Sequence, residues 1–323
     1  MKGFQLLATG GALPGRTVTN DDLSRMVDTS DDWITSRTGI RTRHWCTEDE
    51  SAATLAIAAA RQALDRSGLA PADIACCVCA TLSAPDATPS VACQVQAALG
   101  LPENRPALDI NAACSGFLYG MAVARGMLTT LGGQYALVIG CEALSRLMDP
   151  TDRSTCVLFG DGAGAAVVTE GDALICSRLT TVSKTECLHY VRTLEPTPYI
   201  TKQEESKPMF MNGREVFKTA VLSSSRDIRT LLDKAGLQPG DIKYYILHQA
   251  NMRIIESICG QLKLDMSHFP TNVAHYGNTS SASVAILLDE LNRDGKLHKG
   301  DKLLLSAFGA GFTTGACIIE WTK

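Results

Sequence analysis

The 323-residue chain has no long hydrophobic run, because charges or glycines interrupt every apolar stretch before it reaches the length of a membrane span. A membrane-spanning role is excluded on that count. The first residues, Met1-Lys-Gly-Phe-Gln-Leu-Leu-Ala, hold too short an apolar segment for a secretory signal, so a soluble, cytoplasmic protein is expected. There is no basic tract and no low-complexity segment, and the formal net charge is −4, which argues against a general nucleic-acid binder. A dinucleotide fingerprint is missing as well. Gly160, Gly162 and Gly164 are spaced G-x-G-x-G and lead into the strand-like run Ala165-Ala-Val-Val168, so a tight strand–turn–strand is expected there.

Twelve cysteines are present, but without the company a metal site needs. Cys76 and Cys79 form a C-x-x-C, yet no second such pair and no His-x-x-x-His accompanies it. The stretch Ile74-Ala-Cys-Cys-Val-Cys-Ala80 reads as a buried strand whose thiols are small core residues in a reducing compartment. No metal is expected.

What the chain does have is 45% hydrophobic and 20% charged residues, enough for one large core or two similar ones. Strands and helices alternate along it, which indicates an α/β sheet architecture. A repeat is legible: Ser67-Gly68-Leu-Ala-Pro-Ala-Asp73-Ile answers Ala235-Gly236-Leu-Gln-Pro-Gly-Asp241-Ile, each pair 168 residues apart (68 to 236, 73 to 241). Phe159-Gly-Asp-Gly-Ala-Gly and Phe308-Gly-Ala-Gly-Phe likewise each end a half with a glycine-rich turn before a strand. The expected division is 1–172 and 173–323. Between them, 176–208 is polar and irregular, with Pro196 and Pro198, and reads as a connection or a mobile flap.

The stretch Ala107-Leu-Asp-Ile-Asn-Ala-Ala-Cys114-Ser-Gly presents a cysteine where an apolar run breaks and a helical pattern through Leu118, Met121 and Leu128 begins. At a helix start, free N–H groups and the macrodipole favour a thiolate, so Cys114 is expected to carry a lowered pKa. The plain alternative is a buried small residue. In the second half, His248 follows the strand Tyr244-Tyr-Ile-Leu247, and Asn278 opens a helix roughly where Cys114 opens one. A pseudo-twofold would bring Cys114, His248 and Asn278 to one cleft, the histidine and asparagine as hydrogen-bond donors to an oxyanion. His44, His189, His268, His275 and His298 lack such a setting and read as surface or structural. Trp33 lies near Arg37, Arg41 and Arg43, a cluster suited to an anionic or nucleotide-bearing ligand or simply to a solvated loop.

Ala112-Ala-Cys114-Ser-Gly-Phe, His248-Gln-Ala-Asn251, Gly277-Asn278-Thr-Ser-Ser-Ala-Ser and Phe308-Gly-Ala-Gly-Phe resemble the β-ketoacyl-acyl-carrier-protein synthase III family. Asp32-Trp33-Ile with Arg37-Thr-Gly-Ile-Arg41, and Asp149-Pro-Thr-Asp-Arg153, resemble it too, so the likeness spans nearly the whole chain. It implies the thiolase fold, two halves in five αβαβα layers, and a homodimer. It also implies initiation of type II fatty acid synthesis: an acyl group from acetyl-CoA, or a somewhat longer acyl-CoA, is loaded on Cys114 and joined to malonyl-acyl carrier protein with loss of CO2. The resemblance gives the backbone of Cys114 and Ala310 as an oxyanion hole, and gives His248 and Asn278 as donors to the malonyl thioester oxygen. It places Trp33, Arg37 and Arg153 on the CoA adenine and phosphates. Gly213, Phe217, Ala250, Asn251 and Phe308 would line the substrate channel, and Lys218 and Arg253 would dock the carrier protein. No cofactor is implied beyond the CoA thioester, which is a substrate.

The sequence departs from the family pattern in places. Thr88 stands where the family often has a phenylalanine that walls the acyl pocket across the dimer, which leaves room for a longer primer. Gly260 and Gln261 follow Arg253 where the family tends to be basic, and 176–208 departs from the usual run. A related acyltransferase priming a polyketide or other secondary metabolite is the alternative. A biosynthetic thiolase would want a second cysteine by the C-terminal glycine loop, and a 3-hydroxy-3-methylglutaryl synthase an acidic base; neither stands in the motifs. A non-catalytic binder would be expected to have lost one of the three residues.

Overall fold

A computed structural model describes residues 3–191, 197–199 and 207–323. In chain order the first elements are β1 (Phe4–Ala12), β2 (Arg16–Thr19), α1 (Asn20–Ser24), α2 (Asp31–Thr38), β3 (Thr42–Trp45) and α3 (Ala52–Ser67). Then come β4 (Ile74–Ala80), α4 (Val91–Leu99), β5 (Ala107–Ile110), α5 (Gly116–Leu131), β6 (Tyr135–Glu142) and β7 (Gly162–Glu170). The remainder is β8 (Leu174–Thr181), β9 (Leu188–Val191), β10 (Lys207–Met211), α6 (Gly213–Ala235), β11 (Tyr244–Leu247), α7 (Met252–Leu262), α8 (Val273–Tyr276), α9 (Ser283–Arg293), β12 (Lys302–Gly309) and β13 (Thr313–Glu320).

Local chemistry explains the long elements. α3 starts at Ser51, whose hydroxyl accepts from the Thr54 N–H at 3.2 Å while the Thr54 hydroxyl accepts from the Ser51 N–H at 2.8 Å, a reciprocal cap. Alanines at 52, 53, 56, 59, 60 and 63 form its buried face. The helix stops at Gly68, and α6 stops at Gly236, both left-handed with φ of 72° and 66°, a conformation that a Cβ would oppose. The repeated aspartates now have a reason. Asp73 accepts from the Ala70 N–H at 2.8 Å, and Asp241 from the Gln238 N–H at 2.7 Å, each capping the 3₁₀ turn before a central strand.

The main sheets are copies of one another. The first runs β1-β7-β6-β4-β5 and the second β8-β13-β12-β11. β6 pairs parallel with β4, Cys79 opposite Ile139, and antiparallel with β7; β12 pairs parallel with β11, Ile246 opposite Leu305, and antiparallel with β13. Only β5 has no paired counterpart in the second sheet. One apolar cluster joins α5 and α9 to the facing sides of both sheets, through Phe117, Met121, Leu287, Leu288, Val138 and Leu305. A second packs α3 and α4 on the outer side of the first sheet, and a third packs α6 and α7 on the outer side of the second. The order is therefore α-β-α-β-α, the five-layer duplicated architecture that the family resemblance implies.

One reading needs correction. Residues 176–181, the start of the stretch taken as irregular, belong to β8 (Leu174–Thr181), an edge strand paired with β13 with one register shift between Ile318 and Ile319. Downstream, β9 and β10 pair as a two-stranded ribbon, and Leu188, His189, Met209 and Met211 from it line the central cavity. The remainder of 176–208, including Pro196, lies largely outside the described residues. The cysteine-rich run 74–80 is the buried strand expected, with Cys76, Cys77 and Cys79 at most 2% exposed.

Candidate active site

Cys114 lies in a single 3₁₀ turn, Ala113–Ser115, that runs directly into α5. The turn is bent by Ala113, a non-glycine residue at φ +46°, which costs on the order of 1 kcal/mol. The Asn111 carboxamide oxygen accepts from the Ala113 N–H at 3.1 Å and holds this bend. The second half repeats the device. Ser280, at φ +50°, begins the turn Ser280–Ala282 that enters α9, and the Asn278 oxygen accepts from its N–H at 2.9 Å. Asn278 is thus the counterpart of Asn111, three positions upstream of the residue matching Cys114, rather than of Cys114 itself. Its backbone is pinned by the Leu158 carbonyl at 2.8 Å and the Gly160 N–H at 3.0 Å. With its oxygen engaged, the Asn278 NH2 group is left for the cavity.

His248 follows β11 and is 2% exposed. Its Nδ1 lies 2.6 Å from the Ser283 hydroxyl, at the start of α9, and its ring meets Phe308 edge-on at 5.1 Å. The Gln249 N–H donates to the same hydroxyl at 3.4 Å, so Ser283 ties the ring to the backbone that follows β11. Nε2 is buried with no hydrogen-bond partner among the described residues. Burial drives His248 down to about 3, so the ring is neutral at physiological pH.

Cys114, His248 and Asn278 line one cavity of about 720 Å3, together with Ala310, Gly213, Phe217, Ala250, Asn251 and Phe308. Gly309 has to be a glycine, because a Cβ there would stand 2.5 Å from the Cys114 nitrogen. Burial works against the lowering expected for Cys114 at a helix start. Burial pushes the thiol up to about 12, against the Ser280 hydroxyl bonded to it, and the Glu142 carboxylate adds to the rise.

The cluster at Trp33 also differs from expectation. Arg43 is 0% exposed and is spent on the Asn20 oxygen and the Val157 carbonyl, both at 2.7 Å; Arg41 pairs with Asp31 at 3.8 Å. Arg37 stays, and Arg153 joins it from far along the chain. Their guanidinium carbons lie 4.9 and 4.8 Å from the Trp33 ring centre. The stack borders the cavity, since Asn251 donates to the Arg37 carbonyl at 3.2 Å. Lys218 and Arg253 are exposed on α6 and α7, and Arg253 lies 6.0 Å from the ring of Phe217. Thr88 is not brought to the cavity within one chain. It borders a separate depression that shares only Leu82 and Asn111 with the first.

Several residues at the site were not singled out from the sequence. Asn111 mirrors Asn278, a correspondence hidden until the paired left-handed turns are seen. His189, expected at the surface, is exposed but lines the cavity. Glu142 ends β6 beneath the nucleophile; a lone acid closing an otherwise apolar strand was the signal for it.

Fold and site define a thiolase-fold enzyme that presents a cysteine beside a neutral histidine and a carboxamide. The model of 3-oxoacyl-[acyl-carrier-protein] synthase III matches residues 108–185, and that of its C-terminal region matches residues 232–321. The chain is 43% identical to beta-ketoacyl-[acyl-carrier-protein] synthase III of Rhodospirillum centenum over 98% of both chains, and 40% identical to that of Clostridium acetobutylicum over 100% of both. Among solved structures, 3-oxoacyl-[acyl-carrier-protein] synthase III of Aquifex aeolicus superposes with a TM-score of 0.90 at 40% identity, covering 99% of this chain and 100% of that one. The priming β-ketosynthase of the R1128 polyketide pathway superposes at 0.91 with 31% identity, covering 100% and 97%. The chain belongs to the β-ketoacyl-acyl-carrier-protein synthase III family.

Proposed function

We propose that Cys114 takes an acyl group from acetyl-CoA, or a somewhat longer acyl-CoA, and that His248 and Asn278 then direct its condensation with malonyl-acyl carrier protein. The product is a 3-oxoacyl-acyl carrier protein, with CoA and CO2, the opening reaction of type II fatty acid synthesis. The single observation that carries this reading is the convergence of the three side chains on one cavity, each with its orienting partner.

In the first half-reaction the Cys114 sulfur attacks the thioester carbonyl, and the N–H groups of Cys114 and Ala310 receive the oxyanion. CoA leaves as its thiol. In the second, His248 Nε2–H and the Asn278 NH2 donate to the malonyl thioester oxygen. The C–C bond to the carboxylate breaks, its electron pair becomes the enolate, and the enolate carbon attacks the acyl-Cys114 carbonyl. A neutral imidazole suits this step, because one ring N–H can donate to the thioester oxygen without a charge having to be buried in the cavity. The Trp33, Arg37 and Arg153 stack offers one aromatic face and two cations to a nucleotide with phosphates. Lys218 and Arg253 are our candidates for the acidic carrier protein. The two halves, 1–172 and 173–323, contribute the nucleophile and the donor pair. We take the chain to act as a cytoplasmic homodimer: among the described residues no helix is long and apolar enough to cross a membrane, and β5 offers a sheet edge for a second copy.

Separating the half-reactions tests this. Cys114→Ala should release no condensation product yet still evolve CO2 from malonyl-acyl carrier protein; condensation retained in that variant contradicts the mechanism.

A further inference from the structure

The two backbone segments that would supply the oxyanion donors come from opposite halves of the chain, and a pair of hydroxyls ties them together. One segment is the turn Ala113–Ser115 with Ala112 before it; the other is Ala310–Phe312, the 3₁₀ turn between β12 and β13. Thr313, the first residue of β13, stands at the seam and borders the cavity. Its hydroxyl donates to the Ala112 carbonyl at 2.8 Å and reaches the Ala310 carbonyl at 3.4 Å. The Ser115 hydroxyl lies 2.8 Å from both Thr313 Oγ1 and the Ala112 carbonyl. Each hydroxyl carries one proton, so Ser115 donating to Thr313 leaves the Thr313 proton for the carbonyls on either side.

Among the described residues no other side chain hydrogen-bonds between these two segments. On its outer side the 310–312 turn is held by backbone alone, the Val182 N–H donating to the Phe312 carbonyl at 2.7 Å and the Lys184 N–H to the Gly311 carbonyl at 2.9 Å. Thr313 supplies the inner anchor. The carbonyl it holds belongs to the residue before Ala113, whose φ of +46° turns the chain toward the Cys114 N–H. Fixing that peptide fixes where the next N–H points.

We infer that Thr313, braced by Ser115, is a positioning residue that sets the spacing between the N–H groups of Cys114 and Ala310. It thereby serves acyl transfer to and from Cys114, and not the decarboxylation of the malonyl group. His248 and Asn278, which would hold the malonyl thioester oxygen, are oriented by other partners, the Ser283 hydroxyl and the Ser280 N–H. A methyl group in place of the Thr313 hydroxyl keeps the side-chain shape but stands off a neighbouring atom by about 3.5 Å. Set against the 2.8 Å of the present contact, the nucleophile turn and the Ala310 turn would spread by about 0.7 Å. Donors preorganised for a developing oxyanion lose most of their effect when displaced on that scale.

This inference rests on the proposed acylation of Cys114, and the experiment separates the two. Single-turnover loading from acetyl-CoA is followed by quench and mass spectrometry for the native enzyme, Thr313→Val, Thr313→Ser and Ser115→Ala. Decarboxylation of malonyl-acyl carrier protein is measured alongside, without an acyl donor. Thr313→Val should load about 30-fold more slowly at saturating acetyl-CoA, with the half-saturating concentration and the decarboxylation rate each within about twofold of native. Ser115→Ala should slow loading in the same selective way by about fivefold, and Thr313→Ser, which keeps the hydroxyl, should restore loading to within about threefold. Native-rate loading by Thr313→Val overturns the inference, as does a Thr313→Ser enzyme no faster than Thr313→Val. An equal fall in both half-reactions marks a merely structural prop and overturns it too. Should Thr313→Val fail to fold, Ser115→Ala decides: selective slowing supports the inference and native-rate loading overturns it. Failure of the native enzyme to load Cys114 overturns the underlying acylation instead.

Discussion

Burial acts on Cys114 and His248 in opposite senses, and both shifts keep the residue uncharged: the thiol rises to about 12 and the imidazole falls to about 3. The histidine shift has a measurable sign. Its folded pKa lies below the unfolded value of 6.5, so its contribution to stability is complete above pH 6.5 and is lost as the pH falls toward 3. Glu142 runs the other way, raised from 4.5 to about 6, with its contribution lost as the pH rises through 6. A His248→Gln variant should therefore lose less unfolding free energy than the native protein when acidified below pH 6.5, as read from urea titrations. Equal losses would show that His248 does not sit neutral and buried. The identities of Cys114, His248 and Asn278 were legible in the sequence because each stands at a break between an apolar run and a helical pattern. The ionisation state of Cys114 was not. A helix start can be read from spacing, but the desolvation that opposes it comes from walls contributed by both halves.

At the scale of elements, the site is two copies of one strained turn set face to face. Each has an asparagine oxygen on the N–H of a left-handed residue that precedes a central helix. Close approach of the β12 end to the first turn depends on Gly309. Gly309→Ala should reduce condensation by at least about 100-fold, because moving the Cys114 N–H disturbs the oxyanion contact. Steady-state condensation rates check this, and near-native activity would mean that the turn can shift without cost. Ser51, Ser90, Asn212 and Asn251 each cap a helix start, with a side-chain oxygen accepting from a backbone N–H of the first turn. β8 escaped notice for a physical reason. Only Cys176 along it is buried, so an edge strand with one face open and the other half covered shows no alternation of apolar and polar residues. The arginine cluster misled in the opposite way. Arg43 is close to Trp33 in sequence but is drawn inward by Asn20 and Val157, while Arg153 arrives from a loop 120 residues away (33 to 153).

Across the whole molecule, duplication sets the position of the site. The two central helices meet between the sheets, so residues at their starts face each other without any long loop to carry them there. The 168-residue repeat announced this arrangement, because helix stops and turn caps recurred in register. What the chain alone does not close is the far side of the site, where Thr88 and its depression are exposed beside Leu82 and Asn111. If a second copy covers that face, Thr88→Phe should shift primer preference toward acetyl, as seen in competition between acetyl-CoA and longer acyl-CoAs. An unchanged preference would remove Thr88 from the pocket wall. The most direct test of the account is intact-protein mass spectrometry after incubation with acyl-CoAs of graded length, beside Cys114→Ala, followed by malonyl-acyl carrier protein. The account predicts a single acyl adduct that is absent from the variant and is discharged as a 3-oxoacyl product. Labelling that survives in Cys114→Ala, or an adduct that malonyl-acyl carrier protein leaves in place, would contradict it.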